Sequence, residues 1–135
     1  LQHIRPLFDC LGVCRFPHVE LHLGIEYYVK AYSAATGIET SRRRLLVAME
    51  RVWNLTRGIN LRNGMRGGED RLPDRVFKDA VPKGALKGTT LDQPRFRKLL
   101  QAYYRLRGWN GEGVPTREKL QALDLEDVAD QLNLE

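Results

Sequence analysis

Apolar residues at Ile25, Tyr28, Val29 and Tyr32 fall three and four positions apart, the spacing that lines up side chains on one face of a helix, and Gly37 is placed to end it. After Thr40 or Ser41, either of which can cap a helix N-terminus, the same period returns at Leu45, Ala48, Met49, Val52 and Leu55. A third helix is predicted through Phe96, Leu99, Leu100, Tyr103 and Leu106, with Pro94 near its start and Gly108 set to leave it in a left-handed conformation. Thr116 can cap a short fourth helix before Lys119 and Leu120, and Leu125 to Leu132 suggests a fifth. No stretch alternates as a strand does. The predicted class is therefore all-α, an irregular domain of about five helices.

Between Gly58 and Asp92 the period fades. Six of the chain's 12 glycines and two of its six prolines lie there, which predicts one long extended loop. Leu61, Met65, Leu72, Val76 and Phe77 recur along it, as suits a segment laid over another surface, and that surface is expected in a part of the protein beyond these residues.

Composition narrows the picture further. At 135 residues, 42% apolar and 29% charged, the chain reads as one soluble domain spanning residues 1–135. No apolar run approaches the roughly 18–20 residues of a membrane span. The opening Leu1-Gln2-His3-Ile4-Arg5-Pro6 lacks the layout of a secretory signal, and the chain reads as a fragment of something longer. Two cysteines, Cys10 and Cys14, are too few for a secreted disulfide scaffold, so a reducing, cytoplasmic setting is expected. The net charge of +5 invites a nucleic-acid partner, but charges of both signs are interleaved and only Arg42, Arg43 and Arg44 form a run. Solvated helix faces are the stronger reading. Those arginines open a helix, where the dipole disfavours positive charge, a mismatch that points to an outside partner.

Candidate chemistry concentrates in Asp9-Cys10-Leu11-Gly12-Val13-Cys14-Arg15-Phe16. Gly12 can turn the backbone sharply and leave Asp9 and Cys14 flanking the turn. A carboxylate there can accept from two adjacent N–H donors, such as the aminopyrimidinone edge of a pterin, and a thiolate can ligate iron in a cluster. On the residues alone, the commoner meaning of such a motif is a helix end with a buried thiol. His18 and His22 have helix-face spacing, but Pro17 interrupts the pair, and neither they nor His3 have companions that complete a metal set. Tyr103, Tyr104 and Trp109 could stack bases, although packing in the core is the better reading.

From end to end, the order of motifs resembles the third domain of the tungsten-containing aldehyde:ferredoxin oxidoreductases. Asp9-x-x-Gly12-x-Cys14-Arg15-Phe16 resembles the family's second pterin-binding motif. Thr36-Gly37-Ile38 and Glu50-Arg51-Val52-Trp53-Asn54-Leu55 resemble its next helices. Asn60-Leu61-Arg62-x-Gly64, Asp70-x-Leu72-Pro73-x-Arg75 and Lys87-Gly88 follow in the family's order, as do Tyr103-Tyr104-x-Leu106-Arg107-Gly108-Trp109 and Gly113-x-Pro115.

That resemblance implies a C-terminal helical domain in which Asp9 binds the pterin of a tungsten bis-pterin cofactor, Cys14 is the fourth ligand of a [4Fe–4S] cluster, and Gly12 and Val13 offer main-chain contacts. Cys10, at a variable position, is expected to be a buried neutral thiol. The other cluster cysteines, the first pterin motif and the catalytic acid and histidine lie upstream in the family and are absent from these residues. The implied reaction of the parent is oxidation of an aldehyde to a carboxylic acid with ferredoxin as acceptor; the fragment alone is expected to be inactive, with upstream domains of the same protein as its partners. Two alternatives stand beside it: a tungsten-containing benzoyl-CoA reductase subunit of the same superfamily, acting on an acyl-CoA, and a basic helical binding module with no redox role.

Overall fold

A computed structural model describes residues 2–134. Among the described residues eight helices follow one another: α1 (Arg5–Leu11), α2 (Phe16–Glu20), α3 (Ile25–Thr36), α4 (Arg42–Arg62), α5 (Arg75–Lys78), α6 (Gln93–Arg107), α7 (Arg117–Gln121) and α8 (Glu126–Gln131), with a 3-10 turn at Gly67–Glu69. Among the described residues the only extended pairing is a single bridge between Trp109 and Pro115, so the all-α class holds.

The five helices expected from periodicity are α3, α4, α6, α7 and α8, and their ends obey local chemistry. Ser41 Oγ accepts from the Arg44 N–H at 3.2 Å to open α4, Asp92 caps α6 in the same way from the Arg95 N–H, and Thr116 Oγ1 caps α7 from the Lys119 N–H at 3.2 Å. Gly37 and Gly108 end their helices at positive φ, as expected. The three additional helices, α1, α2 and α5, span four to seven residues and none opens on a side-chain cap of the kind that marks α7.

Two apolar cores flank α4. Leu7 and Phe8 of α1, Ile25 and Tyr28 of α3, and Leu45 and Met49 of α4 make the first. Leu120, Leu123, Leu125, Val128 and Ala129 make the second, around α7 and α8. Helix α4 joins them by packing on α1 and α3 near its start and on α8 near its end. Its lower half buries polar side chains, Glu50, Asn54 and Arg57, where the apolar period pointed to Leu55, which is exposed. Helix α6 is likewise rotated from expectation. It buries Tyr104 and Arg107 and exposes Leu99 and Leu106, because the Arg107 charge finds the Glu50 carboxylate in the interior.

The long loop is shorter and better anchored than expected. Helix α4 runs on to Arg62, and Asp70 is held from within the domain by Arg57 and Tyr104. The Phe77 and Phe96 rings meet edge to face at 5.6 Å. The longest exposed run of the loop is residues 78–92.

Candidate cofactor-binding site

Pro6 sits in the first turn of α1, where its missing N–H costs nothing, and the helix stops at Gly12 with φ 64°. No neighbouring atom lies within 4 Å of where a Cβ on Gly12 would be, so its left-handed backbone, rather than space, calls for glycine. The Val13 N–H donates to the Phe8 carbonyl at 3.0 Å and the Gly12 N–H to that of Asp9 at 3.3 Å, closing the helix end. With those two N–H groups engaged, the main-chain atoms that Gly12 and Val13 can offer a ligand are carbonyl oxygens. Carbonyls suit a donor-rich edge.

Asp9, Gly12, Val13 and Cys14 are all exposed. The Phe16 N–H donates to Cys14 Sγ at 3.4 Å. Cys10 is also exposed, which corrects the expectation of a buried thiol: α1 turns Leu7 and Phe8 to the core and Cys10 to solvent. Around this turn lies an apolar fringe. Phe16, Val19 and Leu21 are 64%, 50% and 68% exposed, and between Cys10 and Gly24 the only Lys, Arg, Asp or Glu residues are Arg15 and Glu20.

Phe8, His18 and Tyr28 pack together from three helices, with ring centroids 5.4 Å apart for the tilted Phe8–His18 pair and for the edge-to-face Phe8–Tyr28 pair. His18 Nδ1 bonds the Leu23 carbonyl at 2.6 Å, so it serves the fold. His22 lies beyond the end of α2 and shares no helix face with it. The Tyr28 hydroxyl is buried without a hydrogen-bond partner. Burial, then the nearby Tyr27 and Cys14, push that phenol above its ordinary range.

A donor set with one thiol and one carboxylate can supply one ligand to a cluster and one acceptor to a pterin, but cannot hold either alone. Among the described residues, no group of three or more His, Cys, Asp or Glu could bind a metal ion. The residues would fit only a shared site, with the remaining ligands supplied from outside them.

Two buried polar clusters escaped sequence reasoning. Glu50 receives Arg107 Nη1 at 2.7 Å and Lys119 Nζ at 3.1 Å, and pairs with His3. Burial would raise the Glu50 carboxyl, but the Lys119 hydrogen bond and the charges of Arg107, Lys119 and His3 outweigh it and hold the group below its usual value. Arg107 also lies over Trp53, Tyr103 and Trp109. The second cluster joins Arg57, Asp70 and Tyr104. A signal existed for both, since Glu50, Asn54 and Arg57 follow the helical period on one face, but a polar stripe ordinarily means solvent. The aromatic reading held: Tyr104 and Trp109 are core.

The chain is thus a helical scaffold that presents a thiol and a carboxylate beside an exposed turn, with exposed apolar residues close in sequence. A family model described as "Aldehyde ferredoxin oxidoreductase, domains 2 & 3" matches residues 1–125, and the chain belongs to that family. It is 36% identical over 127 residues to the tungsten-containing aldehyde ferredoxin oxidoreductase of Pyrococcus abyssi and 34% identical over 125 residues to that of Pyrococcus furiosus. The matches cover 93% and 92% of this chain and 20% of each relative, so the chain spans about a fifth of their length. Among solved structures, it resembles the active site complex BamBC of benzoyl coenzyme A reductase bound to 1,5-dienoyl-CoA. The TM-score is 0.67 and the identity 33%, over 81% of this chain and 15% of that one.

Proposed function

We propose that this chain is the C-terminal part of a tungstopterin and iron–sulfur oxidoreductase that oxidises aldehydes to carboxylic acids and passes electrons to ferredoxin. The observation that carries the reading is that Asp9 and Cys14 flank the left-handed Gly12 turn, both exposed and followed in sequence by the exposed apolar residues Phe16, Val19 and Leu21. In this reading the Asp9 carboxylate accepts paired hydrogen bonds from the pterin edge, and the carbonyls of Gly12 and Val13 add acceptors beside it. Cys14, with the Phe16 N–H at its sulfur, gives the cluster one ligand. When bound, the metal–pterin group supplies the two-electron chemistry and the cluster relays electrons singly; the chain's own part is to bind, orient and screen. Its apolar fringe excludes water once the upstream domains close over it.

The likeness to BamBC supports a second reading, reduction of an aromatic acyl-CoA on the same scaffold. Assay of the full-length parent with aldehydes and with benzoyl-CoA separates the two.

Two substitutions in the parent test the site. Asp9→Asn exchanges a charged acceptor for a neutral one, and pterin affinity should fall by roughly 1.5–3 kcal/mol while the cluster survives. Cys14→Ala should cost iron and electron transfer first, with tungsten loss secondary. A full [4Fe–4S] signal and normal ferredoxin reduction in Cys14→Ala would return the motif to an ordinary helix end.

A further inference from the structure

The positive charge of this chain is not evenly spread. Residues 71–107 carry ten Lys and Arg against three Asp and Glu, while the rest of the chain carries 12 against 14. The excess peaks on α6, whose 15 residues include five basic side chains and no acidic one. Arg107 is buried on Glu50. The others are exposed, and none forms a salt bridge among the described residues.

At 3.6 residues per turn, Arg95, Lys98, Leu99, Arg105 and Leu106 share the face opposite Tyr104 and Arg107. Leu99 is 62% exposed and Leu106 86% exposed, so this face combines two leucines with a ring of unpaired cations. The fringe around the Gly12 turn is different in kind. Apolar and poor in charge, it suits a permanent contact with the parent's other domains, since interface cores are depleted in charge. A cationic face with isolated leucines suits a partner that comes and goes: opposite charge steers the encounter, and a small apolar contact sets the register.

We infer that the outer face of α6 docks an acidic protein, the electron carrier of the proposed reaction. The inference rests on the oxidoreductase reading. On its inner side α6 meets the chain's start, where His3 and Gln2 touch Arg107 and Tyr103 at 3.2 and 2.9 Å, and α1, ~10 Å long, leads from there to the Gly12 turn.

The full-length parent tests it. In Lys98→Glu with Arg105→Glu, the KM for ferredoxin should rise about tenfold or more, and its dependence on salt should flatten. Aldehyde oxidation with a viologen dye should not change, and Lys30→Glu on α3 should leave both assays as they were. If the double reversal lowers viologen turnover through folding, Lys98→Gln with Arg105→Gln should give a smaller KM shift in the same direction. An unchanged KM in all these variants overturns the surface while leaving the oxidoreductase reading intact. A parent that oxidises aldehyde with viologen but never reduces ferredoxin overturns both. A Lys98 unreactive to acetylation before the carrier is added would place the face under the parent's own domains, and salt-sensitive binding of duplex DNA lost in the variants, with no KM change, would assign it to nucleic acid; either result overturns the proposal.

Discussion

The Arg57 guanidinium holds Asp70 with two parallel hydrogen bonds, Nη1 to Oδ1 at 3.1 Å and Nη2 to Oδ2 at 2.6 Å. Arg57 Nε donates to the Gly113 carbonyl at 2.8 Å, and the Tyr104 hydroxyl donates to Asp70 Oδ2 at 2.6 Å. One pair thus ties α4, the long loop, α6 and the segment after it. Removing Asp70 would leave a buried guanidinium without its counter-charge.

Asp70→Ala should therefore destabilise the isolated domain by about 3–5 kcal/mol in chemical denaturation. Hydrogen exchange should quicken first at residues 65–78, whose anchor is gone. Residues 79–91, exposed throughout in this domain, should exchange quickly in the fragment and slowly in the parent if upstream domains cover them.

Gly113 lies at φ 75°, and a Cβ there would stand 2.5 Å from Arg57 Nη2 and 2.7 Å from the Tyr104 ring. Both neighbours are fixed by Asp70. Gly113→Ala should cost roughly 1–3 kcal/mol from overpacking, with added backbone strain, and should lower the thermal midpoint of the fragment without changing its helical circular dichroism.

Acid should loosen the domain through Glu50. Its carboxyl is held below the ordinary value in the fold, so the stability it adds is present above the unfolded value and is lost as pH falls through the folded one. Glu50→Gln should be less stable at pH 7, because Arg107 and Lys119 lose their carboxylate, and should show a flatter decline between pH 5 and the acid range. An equally steep decline in the variant would place the titration elsewhere.

Alkali should act through Tyr104. Burial, then the hydrogen bond to Asp70 and its charge, push the phenol from 10.0 up to about 12. Folding favours the neutral phenol, so this contribution is complete below pH 10 and is lost as pH rises through about 12. Tyr104→Phe should remove that part of the alkaline decline, followed by denaturation at stepped pH, at the cost of one hydrogen bond to Asp70.

The sequence by itself determined the class, five of the helices, the caps of α4 and α7 and the motif turn, because each depends on neighbours within a few residues. Ser41 and Thr116 bond N–H groups three positions on, and Gly12, Gly37 and Gly108 relieve a backbone strain that belongs to one residue. It also carried the family through the order of its motifs. What only the tertiary structure decided was which polar side chains go inside. Glu50, Asn54, Arg57 and Arg107 look like solvent-facing residues until partners distant in sequence arrive: Trp109 Nε1 donates to Asn54 Oδ1 at 2.8 Å across 55 positions, and Arg107 reaches Glu50 across 57. A buried charge is tolerated only when its counter-charge is present, and no local pattern encodes that meeting. For the same reason, Leu99 and Leu106 fall on the outer face of α6: its rotation is set by the Arg107 charge finding Glu50, not by its apolar period.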